Sequence, residues 1–177
     1  MKNFLVVVDI QKDFVDGTLG STEAAAIVEY AATRIREFDG GIFVTFDTHF
    51  ENYMETAEGK KLPVPHCIKG TPGWKLNDRI AEALVGKAYT PVEKFTFGSV
   101  ELPKQILEAA KGEDFTVELL GLCTDICVVS NALLLKANFP EQEIMVDAAG
   151  CAGVTPATHK AALETMKMCQ ITIKGEA

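Results

Sequence analysis

Three reactive side chains in this chain stand where an apolar run gives way to polar residues: a thiol, a carboxylate and an ammonium. The thiol is Cys127, inside VELLGLCTDICVVS at residues 117–130. The mostly apolar run 117–122 stops near a Thr-Asp pair and passes into a helix-patterned segment over 127–138. A strand, tight turn and helix in that order leave free backbone N–H groups, and the positive end of the helix dipole, in the first helical turn. With Thr124 as the N-cap, Cys127 falls in that turn. A thiol there is biased towards thiolate, and the same N–H groups can hold an oxyanion. A buried structural cysteine reads the same from this stretch alone, so the decision rests on its company. Asp9 closes the run FLVVVDI and Lys94 follows a later one. A thiolate nucleophile needs a nearby cation and a base; Lys94 can supply the first and Asp9 the second. The plain alternative for these two is a structural ion pair, since such pairs also perturb pKa values.

A second group is Asp47-x-His49 with His66 further along. Two of the chain's three histidines fall in the polar segment 47–73, and with Asp47 they have the composition of a two-histidine, one-carboxylate metal site. Glu55, Glu58 and Cys67 compete as a fourth ligand. Adjacent residues of an extended segment point opposite ways, which counts against Cys67 beside His66, and Glu58 ranks first. His159 is expected on a helix, facing solvent. Phosphate binding has no support, because neither G-x-x-x-x-G-K-[ST] nor G-x-G-x-x-G occurs.

The elements that must position these groups alternate along the chain. Six strand-like runs occupy residues 4–10, 41–46, 88–93, 115–120, 144–148 and 170–173. Helical patterns occupy 21–38, 75–85, 103–111, 127–138 and 155–168. Continuous apolar strands between helices imply a mainly parallel sheet covered on both faces, a three-layer doubly wound α/β sandwich in a single domain over 1–177. Ligands of such sheets bind outside the carboxyl ends of the strands, where Asp9, Asp47, His49, Lys94 and Cys127 are expected. The segment 47–73 shows little periodicity, and a loop of that length is usually a lid or a site. A net charge of −8 argues against nucleic acid as a partner. No apolar run is long enough to span a bilayer or to form a signal-peptide core. Five cysteines without a C-x-x-C pair fit reduced thiols in the cytoplasm rather than a disulfide framework.

Five stretches carry a resemblance: VVVDIQKDF at 6–14, FDTH at 46–49, PHCIKGTPGW at 65–74, EKFTFGS at 93–99 and GLCTDICV at 121–128. In this order and combination they resemble the isochorismatase-like cysteine hydrolases, and within them the nicotinamidases. The resemblance implies a catalytic triad of Asp9, Lys94 and Cys127. It also implies a cis peptide before Cys123 that turns the N–H groups of Cys123 and Cys127 into an oxyanion hole. It makes Asp47, His49 and His66 ligands of a divalent metal, Zn2+ first, with Mn2+ or Fe2+ as alternatives. The activity implied is hydrolysis of nicotinamide to nicotinate and ammonia through a thioester, with Phe14 and Phe95 as candidates to pack against the planar ring. Family members are often dimers or larger, so a homo-oligomer is expected. Two rivals stand beside this reading: hydrolysis of another small amide or ureide, and a non-enzymatic metal-binding or redox-sensing protein using Cys123 and Cys127. The chain departs from the family pattern at Cys123, where a small Ala is more usual, and in lacking the tryptophan often found just before P-H-C. Leu62-Pro63-Val64 stands there, and Trp74 follows the motif instead.

Overall fold

Val6, Val7 and Val8 point alternately to the two faces of the first strand, yet all three are fully buried. Both faces of the sheet are therefore covered, as unbroken apolar runs require. The computed structural model describes residues 1–176. Its strands are β1 (Lys2–Val8), β2 (Gly41–Asp47), β3 (Tyr89–Lys94), β4 (Phe115–Leu122), β5 (Glu143–Ala152) and β6 (Thr172–Lys174). They form one six-stranded sheet in the order β3-β2-β1-β4-β5-β6, parallel at every pairing. The order reverses between β1 and β4, and a crevice opens at the carboxyl ends of strands on either side of such a point.

The helices are α1 (Lys12–Val15), α2 (Thr22–Ala26), α3 (Val28–Glu37), α4 (Ala57–Lys61), α5 (Asp78–Ala83), α6 (Leu102–Ala110), α7 (Val129–Asn138) and α8 (Pro156–Met168). The single helix expected over 21–38 is two, divided at Ile27, with Ser21 Oγ capping the first through Ala24 N–H at 3.0 Å. The segment 47–73 is not structureless. It holds a 3-10 turn (Tyr53–Glu55) and α4, capped by Thr56 Oγ1 on Gly59 N–H at 3.0 Å. Helices this short span too few turns to leave a periodic pattern. β5 runs on through Ala152, past the expected end at 148, with its register against β4 shifting between Leu119 and Gly121.

On the face away from the turn that follows β4, ion pairs cross the sheet. Buried Glu118 of β4 accepts from Arg34 of α3 at 2.9 and 3.1 Å and from Lys174 of β6 at 2.7 Å. Buried Asp147 of β5 accepts from Tyr30 of α3 at 3.0 Å, with Arg34 Nε 3.7 Å away. No helix among the described residues is long and apolar enough to cross a membrane.

Candidate active site

Asp9 follows β1 directly, in a left-handed conformation (φ 48°) that turns the chain at the strand end. Lys94 is the last residue of β3, and Cys127 lies in the turn beyond β4. The sheet order brings these three together. Lys94 Nζ is 2.7 Å from Asp9 Oδ2 and 3.4 Å from Cys127 Sγ. It also donates to Asp47 Oδ1 at 3.0 Å and to the Thr96 carbonyl at 3.3 Å. An ammonium with three protons thus faces four acceptors. Thr45 of β2 orients the base, donating its hydroxyl to Asp9 Oδ1 at 2.6 Å. Beyond the ion pair, Asp9 Oδ2 has no hydrogen-bond partner among the described residues, which leaves it capacity to take a proton.

Asp9, Lys94 and Cys127 are all almost wholly withdrawn from solvent, and the charges answer to that. Burial pushes the Asp9 carboxyl up, against the pull of Lys94. Burial and the Asp9 charge push the Cys127 thiol well up, and Lys94 opposes them. Burial works against the Lys94 ammonium, but Asp9, Cys127 and Asp47 outweigh it and hold the charge on Lys94. The surroundings therefore favour the thiol form of Cys127 and the ammonium form of Lys94. A standing thiolate, expected from a helix N-terminus alone, is not what this environment favours.

The turn carrying Cys127 differs from the expected capped helix. The Leu122–Cys123 peptide is cis. Thr124–Val128 forms a π turn, and α7 begins only at Val129. The Cys123 carbonyl accepts the N–H groups of Ile126 (3.1 Å) and Val128 (3.0 Å), on either side of that of Cys127. Thr124 is not the N-cap. Its buried hydroxyl is committed to His159 Nδ1 at 2.7 Å, a partner supplied by α8. His159 correspondingly does not face solvent: it is half-buried, and burial holds its imidazole below the usual value.

The second cluster adjoins the first through Asp47. Ligand atoms of Asp47, His49 and His66 lie within 4.8 Å of one another, and all three residues are buried. Asp47 Oδ2 is 3.0 Å from His49 Nε2 and 3.5 Å from His66 Nε2. Glu58, at the start of α4, brings Oε1 to 3.8 and 3.7 Å of the same two nitrogens. The Val64 carbonyl takes His66 Nδ1 at 2.8 Å, which leaves Nε2 for a ligand. Two imidazoles and a carboxylate converging in this way, with a second carboxylate in reserve, suit a divalent transition metal. Burial raises the Asp47 carboxyl, but hydrogen bonds to His49 and His66 and the Lys94 charge outweigh it, so Asp47 stays ionised to low pH. Cys67 stands apart with φ 46°, its N–H donated to Asp13 Oδ2 at 2.8 Å.

Phe14, in α1, packs against the His66 ring with centroids 5.4 Å apart, so it borders the cluster. Phe95 projects away from Lys94. It stacks on Phe50 at 5.9 Å and stays 59% exposed, because a residue next to Lys94 at a strand end projects the other way. Trp74 packs on Phe46 at 5.4 Å and donates Nε1 to Thr48 Oγ1 at 3.0 Å. Phe46 and Thr48 flank Asp47 in the strand, so Trp74 lies on the opposite face and does not replace the missing ring. It borders a separate surface hollow of about 460 Å³ lined also by Lys12, Leu76 and Tyr89.

Sequence reasoning missed Thr45, Gln11 and Tyr53. Gln11 fixes Asp47 by accepting its N–H at 2.8 Å and donating to its carbonyl at 3.0 Å. Tyr53, buried, packs its ring on both His49 (4.8 Å) and His66 (5.1 Å). Gln11 sits inside the stretch VVVDIQKDF, where its position was a usable signal. Thr45 becomes meaningful only once the register places it opposite Val8.

A sheet of this order with these groups at its switch point is the frame of a hydrolase family, and comparison with known proteins names it. The isochorismatase domain profile matches residues 3–177, and the chain belongs to that family of hydrolases. Within the family it is nicotinamidase-like, an amide C–N hydrolase. It is 30% identical to the nicotinamidase/pyrazinamidase of Mycobacterium tuberculosis over 184 aligned positions, covering 96% of each chain. The solved pyrazinamidase/nicotinamidase of Streptococcus mutans superposes with a TM-score of 0.84 at 28% identity, over 97% of this chain and 99% of that one. A pyrazinamidase of Pyrococcus horikoshii, solved in complex with zinc, shares the fold with a TM-score of 0.78 at 24% identity, over 99% and 100% of the two chains.

Proposed function

We propose that this protein hydrolyses nicotinamide to nicotinate and ammonia through a thioester on Cys127. The observation that carries the proposal is the position of Lys94 Nζ, 2.7 Å from Asp9 and 3.4 Å from Cys127. The buried thiol passes its proton to Asp9, whose raised affinity for protons suits it as a base, and Lys94 balances the thiolate as it forms. Sulfur attacks the amide carbon. The resulting oxyanion is taken by the N–H groups of Cys123 and Cys127. The C–N bond breaks as Asp9 returns the proton to nitrogen, and ammonia leaves. Asp9 then deprotonates a water that attacks the thioester, the C–S bond breaks, and the proton goes back to sulfur.

Asp47, His49 and His66, with Glu58 as the fourth donor, would hold a divalent metal such as Zn2+. Bound there, it supplies a coordination site for the pyridine nitrogen, so that ring anchoring and carbonyl attack are handled by adjoining clusters. Phe14 supplies an apolar surface beside that position.

The test compares native protein, chelated protein and His49→Ala on nicotinamide and on benzamide, which has the ring without the nitrogen, scored by ammonia release. Native protein should prefer nicotinamide, and both treatments should erase the preference while iodoacetamide still alkylates Cys127. A preference that survives chelation would remove the metal from the mechanism. Cys127→Ala should abolish turnover and Cys123→Ala should leave most of it; the reverse would sink the triad. A second reading, hydrolysis of a different small amide or ureide, is favoured by Leu62-Pro63-Val64 in place of a tryptophan and by the remote packing of Trp74. It predicts that metal-loaded protein leaves nicotinamide intact and releases ammonia from another amide. A thiol-pair sensor is disfavoured: burial pushes Cys123 up to about 12 and Cys127 well up, and protonated thiols oxidise poorly.

A further inference from the structure

The loop after Lys94 is held without buried apolar anchors. Phe95, Phe97 and Val100 are 59, 46 and 65% exposed, and although Phe95 stacks on Phe50, itself 50% exposed, no buried hydrophobic side chain among them secures residues 95–100 to the body of the protein. One polar residue does. Asn131, on α7 one turn beyond Cys127, is fully buried. Its Oδ1 accepts the Ser99 N–H at 2.9 Å, and its Nδ2 donates to the Phe97 carbonyl at 3.3 Å and the Cys127 carbonyl at 2.8 Å. The loop lies flush on α7 at this point, since a Cβ on Gly98 would come within 2.5 Å of Leu134 Cδ1. The same loop supplies the Thr96 carbonyl to Lys94 Nζ, and Ser99 Oγ accepts the Leu102 N–H that opens α6.

We infer that Asn131 is a positioning residue that sets the spacing of Lys94 and Cys127. It ties the backbone after one to the backbone of the other. This rests on the cysteine-hydrolase reading, but the tie can be tested without a substrate. Without it, the exposed loop gains freedom, the Thr96 carbonyl leaves Lys94, and the ammonium is no longer held over the sulfur. Asn138 on the same helix makes the same kind of bond to the carbonyl four residues back, that of Leu134 at 2.8 Å, with no link to the loop, and so serves as a control for the intrahelical bond alone.

The experiment measures iodoacetamide alkylation of Cys127 against pH, hydrogen exchange at the Ser99 amide, and kcat and KM for ammonia release. The variants are Asn131→Ala, Asn131→Thr and the control Asn138→Ala. A threonine can still bond the carbonyl four residues back but cannot reach the loop. Both site variants should move the alkylation profile to higher pH, slow alkylation at neutral pH about tenfold, and speed exchange at Ser99. The turnover loss should appear in kcat with KM little changed, and Asn138→Ala should leave every readout at the wild-type value. A wild-type alkylation profile in Asn131→Thr would overturn the proposal, even if Asn131→Ala fails to fold. So would an equal shift in Asn138→Ala. Wild-type protein that hydrolyses no amide would sink the amidase reading, while the alkylation profiles would still judge Asn131.

Discussion

Lys94 is the residue on which both clusters depend. It pairs with Asp9, faces Cys127 and reaches Asp47 from the metal side, and burial alone would strip its charge. Its role in this geometry is electrostatic, because an ammonium kept charged by three neighbours is not a nucleophile. Lys94→Ala should therefore raise the pH midpoint for alkylation of Cys127, since burial and Asp9 then act on the thiol unopposed. Borohydride should trap no substrate on Lys94 in the native protein, and a trapped adduct would show that the chemistry runs through an imine. At this scale the sequence was most legible where chemistry dictates residue type. Asp9, Lys94, Cys127, Asp47 and His49 were named from their types and places at strand ends, His66 from its type and its place in the loop 47–73, and the six do converge. For Phe95 the sequence was less informative, because aromatic character says nothing about which side of a strand end a ring occupies.

The elements around the nucleophile were harder to read. The expected Thr124 cap assumed an α-helix from its first turn, whereas the chain makes a π turn and spends the Thr124 hydroxyl on α8. Nothing local signals a partner thirty-five residues away. The Thr124–His159 contact fixes where the turn sits, and it should respond to pH. Burial lowers the folded-state pKa of His159 below its unfolded value of about 6.5. The unfolded chain then binds the extra proton first, so stability is intact above about pH 6.5 and declines as pH falls through that value towards the folded pKa. His159→Ala should cost about 1 kcal/mol near neutral pH through the lost bond. The gap to wild type should narrow on acidification, read as the difference in Tm at about pH 7.5 and 5.5. A gap independent of pH would mean that His159 does not titrate across that range. The two short helices near the site, α1 and α4, escaped notice for a simpler reason. With four and five residues, they are held by tertiary contacts, and in α4 by the Thr56 cap, and not by an amphipathic pattern.

Across the whole molecule, the alternation of apolar runs and helices was enough to give the parallel sandwich, because uninterrupted strands have few other ways to bury both faces. What the pattern could not supply is strand order, and with it the cross-sheet ion pairs. Glu118 and Asp147 are 4 and 1% exposed, and Arg34 serves both. Arg34→Met should cost on the order of 3 kcal/mol, since two buried carboxylates lose a shared cation. Chemical denaturation would register this as a lower midpoint with an unchanged slope, and an unaltered midpoint would show that Lys174 and Tyr30 suffice. The central place of β1 bears on how the chain is made. Its two neighbours are β2 and β4, both later in sequence. One edge of the apolar strand FLVVV stays unpaired until residue 122 has been synthesised. At typical elongation rates of about 5–20 residues per second, that exposure lasts roughly 5 to 20 s. An open, uncharged, valine-rich edge is a template for pairing with other chains. Yield in the cell should consequently be governed by what shelters the nascent first strand, more than by the stability of the finished sheet.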